Sequence, residues 1–216
     1  MKQSRHRLSG FFVSGTDTNV GKTVLSALLC GALVARYWKP IQTGAVDGTD
    51  REKVMEWTGM TLGEVAPEAY IFDDPVSPHL AARRAKKKIV LEKIVPPPSS
   101  PDSPLVVEGA GGVLVPINDS QFMTDLMRHV GLPVVVAARS TLGTINHTLL
   151  TLLALRQAKI SVHGVVPIGP PDKDNEKAIE QYGNAPILGR IPVLQRIHRQ
   201  ALAEVFTKHF DRNAFR

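Results

Sequence analysis

Nine consecutive residues, Gly15-Thr16-Asp17-Thr18-Asn19-Val20-Gly21-Lys22-Thr23, have the types and order needed to hold a polyphosphate. Glycine lets the main chain wrap closely around an anion, because it adopts dihedrals that other residues reach only at a cost. The amides of such a loop, and of a helix opening behind it, then point at the anion. A lysine in the place of Lys22 reaches the terminal phosphates as a point charge, and a hydroxyl in the place of Thr23 ligates Mg²⁺. The usual pattern has four residues between the glycines; Thr16 to Val20 make five here. The chemistry this implies is binding of a nucleoside triphosphate with Mg²⁺, along Asn19, Val20, Gly21, Lys22, Thr23 and Val24.

A metal at such a loop needs acidic partners. Glu108 ends the apolar run Leu105–Glu108 and precedes Gly109-Ala110-Gly111-Gly112. An acid at the end of a buried strand beside a flexible turn is placed to reach the ion, although strand-end acids also cap turns. Asp50, in Gly48-Thr49-Asp50, reads on its own as the N-cap of a helix running to Thr58.

The elements that must carry these residues alternate along the chain. Gly10–Ser14 reads as a strand, Lys22 to about Ala35 as an apolar helix, and Tyr37–Lys39 as a second strand. Leu105–Glu108 and Pro133–Ala138 are short continuous apolar runs, the pattern of strands covered on both faces. Asn146–Gln157 is helix-like, Val162–Val166 and Ile187–Ile191 read as strands, and Gln200–Phe210 as a closing amphipathic helix. The sequence therefore predicts an α/β fold of P-loop NTPase type, a mostly parallel sheet with helices on both faces, in one domain over residues 1–216. Ligands on such sheets bind at the carboxyl ends of the strands. Lys93–Pro104, with its PPPSSP core, cannot be helix interior and reads as an exposed loop.

With 216 residues and 43% hydrophobic content, the chain can build one substantial core. Its longest apolar stretches, such as Val24–Ala35, fall short of the roughly 20 residues a membrane span needs. The basic start, Met1–Gly10, is followed by only a short strand-like run and reads as no secretory signal. The single Cys30 has no partner for an intrachain disulfide, and the expected setting is the reducing cytoplasm. A net charge of +6 and a pI near 9.6 suit anionic small molecules as well as nucleic acid. No aromatics interleave with the basic run Arg83–Lys88, so it reads as a solvated helix end and no nucleic-acid partner is expected.

Taken together, the motifs resemble one family. GTDTNVGKT (15–23), YWKPIQTG (37–44), SPH (77–79), VEGAGG (107–112) and LGTINHTLLT (142–151) follow the order seen in dethiobiotin synthetases. ILGRIPVL (187–194) is similar to that family's C-terminal nucleotide-pocket segment, and the five-residue loop spacing is the family's own form. The resemblance implies a ligase that makes dethiobiotin, ADP and phosphate from 7,8-diaminononanoate, CO₂ and ATP, acting as a homodimer with the substrate across the interface. It gives Lys39 and Lys22 the catalytic roles. Thr23, Asp50 and Glu108 would hold Mg²⁺, with Gly109, Ala110 and Gly111 beside the nucleotide and Pro192, Val193 and Leu194 around its base. Thr18, Lys39 and Thr43, with Gly143, Thr144, Ile145 and Asn146, would bind the substrate. His79 would shape the substrate loop, with a core or capping role as the alternative, and His147 fits a structural residue at a helix start better than a catalytic base.

Two positions depart from the family. Ile168-Gly169 stand where many members have an Asn-Asp pair that reads the adenine edge, and Asn19 replaces a Glu found in some. Two other P-loop readings fit less well. ATPase switches that position plasmids carry an extra lysine just after the first glycine, where this chain has Thr16 and Asp17. Cobyrinate-type amide synthases are longer and use a nucleophilic cysteine, a role that Cys30, inside a helix, does not fit.

Overall fold

Strand-length apolar runs that repeat across more than a hundred residues can bury both faces only by pairing with one another under helices. The computed structural model, which describes residues 8–215, does this with six parallel strands. The basic stretch 1–7 read above lies outside the described residues.

In chain order the elements are β1 (Gly10–Gly15), α1 (Lys22–Leu33), β2 (Arg36–Trp38), β3 (Ile41–Thr43), α2 (Asp50–Thr58), β4 (Val65–Ala66), β5 (Tyr70–Phe72) and α3 (Pro78–Arg84). Then follow β6 (Leu105–Gly112), α4 (Met123–Val130), β7 (Val134–Arg139), α5 (Thr144–Gln157), β8 (Val162–Ile168), α6 (Lys173–Gly183) and α7 (Arg199–His209). The main sheet runs β4-β2-β6-β1-β7-β8, all parallel, and β3 and β5 pair as a separate two-stranded ribbon.

Alternation along the strands divides the core between the two faces. Phe12, Val107, Val134 and Val136 face a layer containing Ala81, Leu126, Met127, Leu152, Leu155 and Ile179, from α3, α4, α5 and α6. Phe11, Val13, Val106, Val135 and Ala137 face Leu25, Leu28 and Leu29 of α1, Val54 of α2, and Leu202 and Phe206 of α7. Helices therefore cover both faces, as the continuous apolar runs require. Cys30 is buried in the second layer, and burial pushes its thiol pKa up, so it is packed rather than reactive.

Two expectations need correction. Ile187–Ile191 forms no strand: it touches β8 through single bridges, Val165↔Ile187 and Ile168↔Ile191. The register slips by one residue between those bridges, and Gly189, at φ 152°, carries the slip. The N-cap of α2 is Thr49, not Asp50. Thr49 accepts from the Glu52 amide while the Glu52 side chain accepts from the Thr49 amide, a reciprocal capping box. Lys93–Pro104 contains no α-helix, as expected, but only about half of it is exposed, and Ile94 is fully buried. The basic run extends off the end of α3 into solvent.

Candidate active site

β1 ends at Gly15 and α1 begins at Lys22, so the loop 15–21 crosses the carboxyl edge of the sheet at its centre. Gly21 caps α1 at φ 100°, a dihedral that favours glycine. The Lys22 ammonium curls over the loop and donates to the Asp17 carbonyl at 2.9 Å. Burial, with help from the neighbouring Lys39, lowers its pKa to about 8, against the pull of Glu108 and Asp50. Asp17 is tied to β7 through Arg139, whose Nη2 lies 2.7 Å from Asp17 Oδ2.

The metal-type residues meet on the same side. Register pairs Trp38 with Val107, so Lys39, just past the end of β2, lies beside Glu108. β6 runs on to Gly112, so Glu108 sits inside its strand rather than at the end the sequence suggested. Glu108 Oε1 accepts from Thr23 Oγ1 at 2.9 Å and from Lys39 Nζ at 3.0 Å, while Oε2 accepts from Tyr37 Oη at 3.0 Å. Lys39 also donates to Asp50, at the first turn of α2. Burial alone would push the Lys39 pKa down, but the two carboxylates beside it hold it above its ordinary value. For Asp50 the cost of burial is likewise outweighed, by Lys39 and then Lys53, and its pKa is lowered.

A cleft of about 660 Å³ opens over these groups. Its lining includes Thr18, Asn19, Gly21, Lys22, Thr23, Val24, Lys39, Thr43, Asp50, Glu108, Ala110 and Gly111, so most of the residues read from the sequence come together in one place. Val20 is buried beneath the loop, and Gly109 lies in β6 against Phe12, both outside the lining. Pro192, Val193 and Leu194 also lie outside it. Ile191, just before them, bridges Ile168, whose side chain sits on Gly21: a Cβ on that glycine would come within 2.8 Å of Ile168 Cδ1. Gly143, Thr144, Ile145 and Asn146 open α5 after β7 and do not line this cleft. Ser77 Oγ and His79 Nδ1 are 3.0 Å apart at the start of α3, and Ser77 lines the cleft. His147 sits exposed in the first turn of α5.

Sequence reasoning missed Tyr37, Gln42, Lys53 and Trp57. The latter three line the cleft, and Gln42 Oε1 accepts from the Asp50 amide at 3.1 Å. Lys53 was within reach of reading, three residues after Asp50 on one helix face. Tyr37 gave no signal, since it reads as one more residue of an apolar strand.

The donor set suits a hard cation. Among the described residues no cluster of three or more His, Cys, Asp and Glu gathers. Two carboxylates and a hydroxyl do converge, with the Lys39 ammonium already standing between the acids as a cation. That matches an ion held by one or two carboxylates, with phosphate oxygens and water completing its shell.

Parallel α/β architecture, a glycine-bounded loop at the central strand's carboxyl end, and a lysine with two acids facing it define a P-loop enzyme that handles nucleotide phosphates. The family model described as "AAA domain" matches residues 9–201. An ATP-dependent dethiobiotin synthetase of Agrobacterium fabrum is 46% identical over 201 residues, covering 93% of this chain and 94% of the relative. One from Paramagnetospirillum magneticum is 48% identical over 196 residues, covering 91% and 94%. Among solved structures, a ParA family ATPase from Chlorobium tepidum aligns with TM-score 0.55 and 11% identity over 91% of this chain and 90% of that one, a likeness of fold alone. The chain belongs to the ATP-dependent dethiobiotin synthetase family.

Proposed function

We propose that this chain converts 7,8-diaminononanoate, CO₂ and ATP into dethiobiotin, ADP and phosphate. The observation that carries the reading is Lys39, held at the floor of the P-loop cleft between Asp50 and Glu108, with Lys22 nearby. One amine of the substrate takes up CO₂ as a carbamate and loses a proton. A carbamate oxygen attacks the γ-phosphorus and ADP leaves, giving a mixed anhydride. The second amine then attacks the carbamoyl carbon, and phosphate leaves with the anhydride oxygen. The amine gives up a proton to the departing phosphate or to water, and the ring closes.

The first transfer brings two anions together, so it needs concentrated positive charge and fixed positions. Lys22 meets the terminal phosphates from the loop side, and Lys39 neutralises the carbamate and the moving phosphoryl group. Thr18 and Thr43, which both line the cleft, hydrogen-bond the carbamate and amines. Thr23, Asp50 and Glu108 would hold Mg²⁺, which when bound offsets charge on the phosphate oxygens. Asn19 to Val24, with Gly109 to Gly111, cradle the nucleotide. Its base lies toward Ile168 and the segment Pro192–Leu194, read by main-chain groups and apolar contact.

The enzyme is proposed to act as a homodimer. Residues Gly143–Asn146 of a second copy offer the free amides of a helix start to the substrate's distant carboxylate. Among the described residues no helix is long and apolar enough to cross a membrane.

Purified protein with MgATP, bicarbonate and 7,8-diaminononanoate should yield dethiobiotin by mass spectrometry with matching ADP release, and each omission should abolish product. ATP binding without any ring closure sinks the reading.

A further inference from the structure

Tyr37 has no part in the chemistry set out above, yet its position is closely determined. It lies on β2 opposite Val106, completely buried, on the side of the sheet covered by α1 and α2. A phenol hydroxyl at that depth is costly unless it is hydrogen-bonded. Its partner is Glu108 Oε2, at 3.0 Å. Burial, then the negative charge of Glu108, raises the Tyr37 pKa well above its ordinary value, so the hydroxyl stays a donor.

The two oxygens of Glu108 are thereby sorted. Oε2 is held from within the sheet by Tyr37, and Oε1 meets Thr23 and Lys39 at the cleft. Phenylalanine would fill the same space but would leave Oε2 without this donor. We propose that Tyr37 is a positioning residue for the metal-holding carboxylate, fixing Glu108 so that Oε1 is the oxygen offered to the cleft. Donors behind a ligand set its orientation, and their loss weakens the site without removing the ligand. The inference rests on the metal-holding role given to Glu108 under the proposed function, and not on ring closure itself.

The test is Mn²⁺ titration of the full chain with ADP, following free Mn²⁺ by electron paramagnetic resonance, with Tm recorded for every variant. Tyr37→Phe should raise the Mn²⁺ Kd by about tenfold or more. In a Glu108→Gln background, adding Tyr37→Phe should leave Kd within about twofold, because the bond is already altered. Glu108→Gln removes the charge of the ligand but keeps an oxygen that accepts from Tyr37, so the double variant shows what losing the hydroxyl does to Tm and packing once the anionic ligand is gone. Wild-type Mn²⁺ affinity in folded Tyr37→Phe overturns the inference. So does an equal rise in the Glu108→Gln background, which marks a general packing effect. If the wild type itself holds no Mn²⁺ with ADP, the metal role of Glu108 falls and the inference falls with it. Mn²⁺ coupling without dethiobiotin formation supports the inference while sinking the ring-closing reading.

Discussion

Lys39 Nζ lies 3.0 Å from Glu108 Oε1 and also closes on Asp50, so one ammonium neutralises both acids proposed to hold the metal. The lysine and a divalent cation compete for the same oxygens. Lys39→Met should therefore bind Mn²⁺ more tightly than the wild type while losing at least about 100-fold in kcat, the scale of removing one donor to transition-state charge. Without metal it should be destabilised by about 3–5 kcal/mol, the cost of stranding a buried charge. Denaturant melts with and without Mg²⁺ check this, since added metal should restore much of the loss. Equal stability of variant and wild type in chelator would rule the competition out.

Gly21 combines a φ of 100° with an Ile168 Cδ1 that would lie 2.8 Å from any Cβ added there. Gly21→Ala should lower ADP affinity by about 100-fold or more, because both strain and a backbone shift fall on the loop amides proposed to bind phosphate. Ile168→Ala in the same chain removes the contact but not the strain, and should recover only part of the affinity. Isothermal titration with ADP separates these outcomes, and full recovery would show that the dihedral is harmless.

Thr49 joins the stability of α2 to the placement of Asp50. Thr49→Ala should cost about 1 kcal/mol, the usual loss for an N-cap. It should also raise the Mn²⁺ Kd, since Asp50 is the next residue and rides on that turn. The backbone amide of Thr49, then its hydroxyl, holds the Glu52 carboxyl below its ordinary pKa. A carboxylate with a depressed pKa stabilises the fold above its unfolded value, and that contribution fades as pH falls through the folded one. Thermal melts from neutral pH downward should show wild type and Glu52→Gln converging at acid pH. A gap that stays constant would argue against the capping box.

The glycine-bounded loop between β1 and α1 and the acid in LVVE, which meet in one cleft, were legible in the sequence because both signals are local. One is a spacing of glycines and a lysine; the other is an acid closing an apolar run. Thr49 was misjudged in favour of Asp50 because each residue type caps helices, and only the tertiary pull of Lys39 turns Asp50 inward. The pairs β2–β4 and β3–β5 escaped notice because strands of two or three residues carry no readable alternation. Ile187–Ile191 has strand composition, but its fate depends on how Gly189 meets Phe210 across the fold. Tyr37 was invisible as a site residue for a similar reason. Its meaning comes from register with a strand some seventy residues away, which only the folded sheet reveals.

The strand order also governs how this chain leaves the ribosome. β1, which carries the phosphate loop, has β6 and β7 as its neighbours: Gly10 pairs with Leu105 and Phe12 with Val134. Nothing made in the interval pairs with β1, so its apolar run waits without a strand partner. At about 5–20 residues per second the wait is on the order of ten seconds. During that time Gly10–Gly15 is an unpaired apolar edge open to chaperones or to other nascent chains. The central place that surrounds β1 with partners in the finished enzyme leaves it, of the strands on that side of the loop, waiting longest for one.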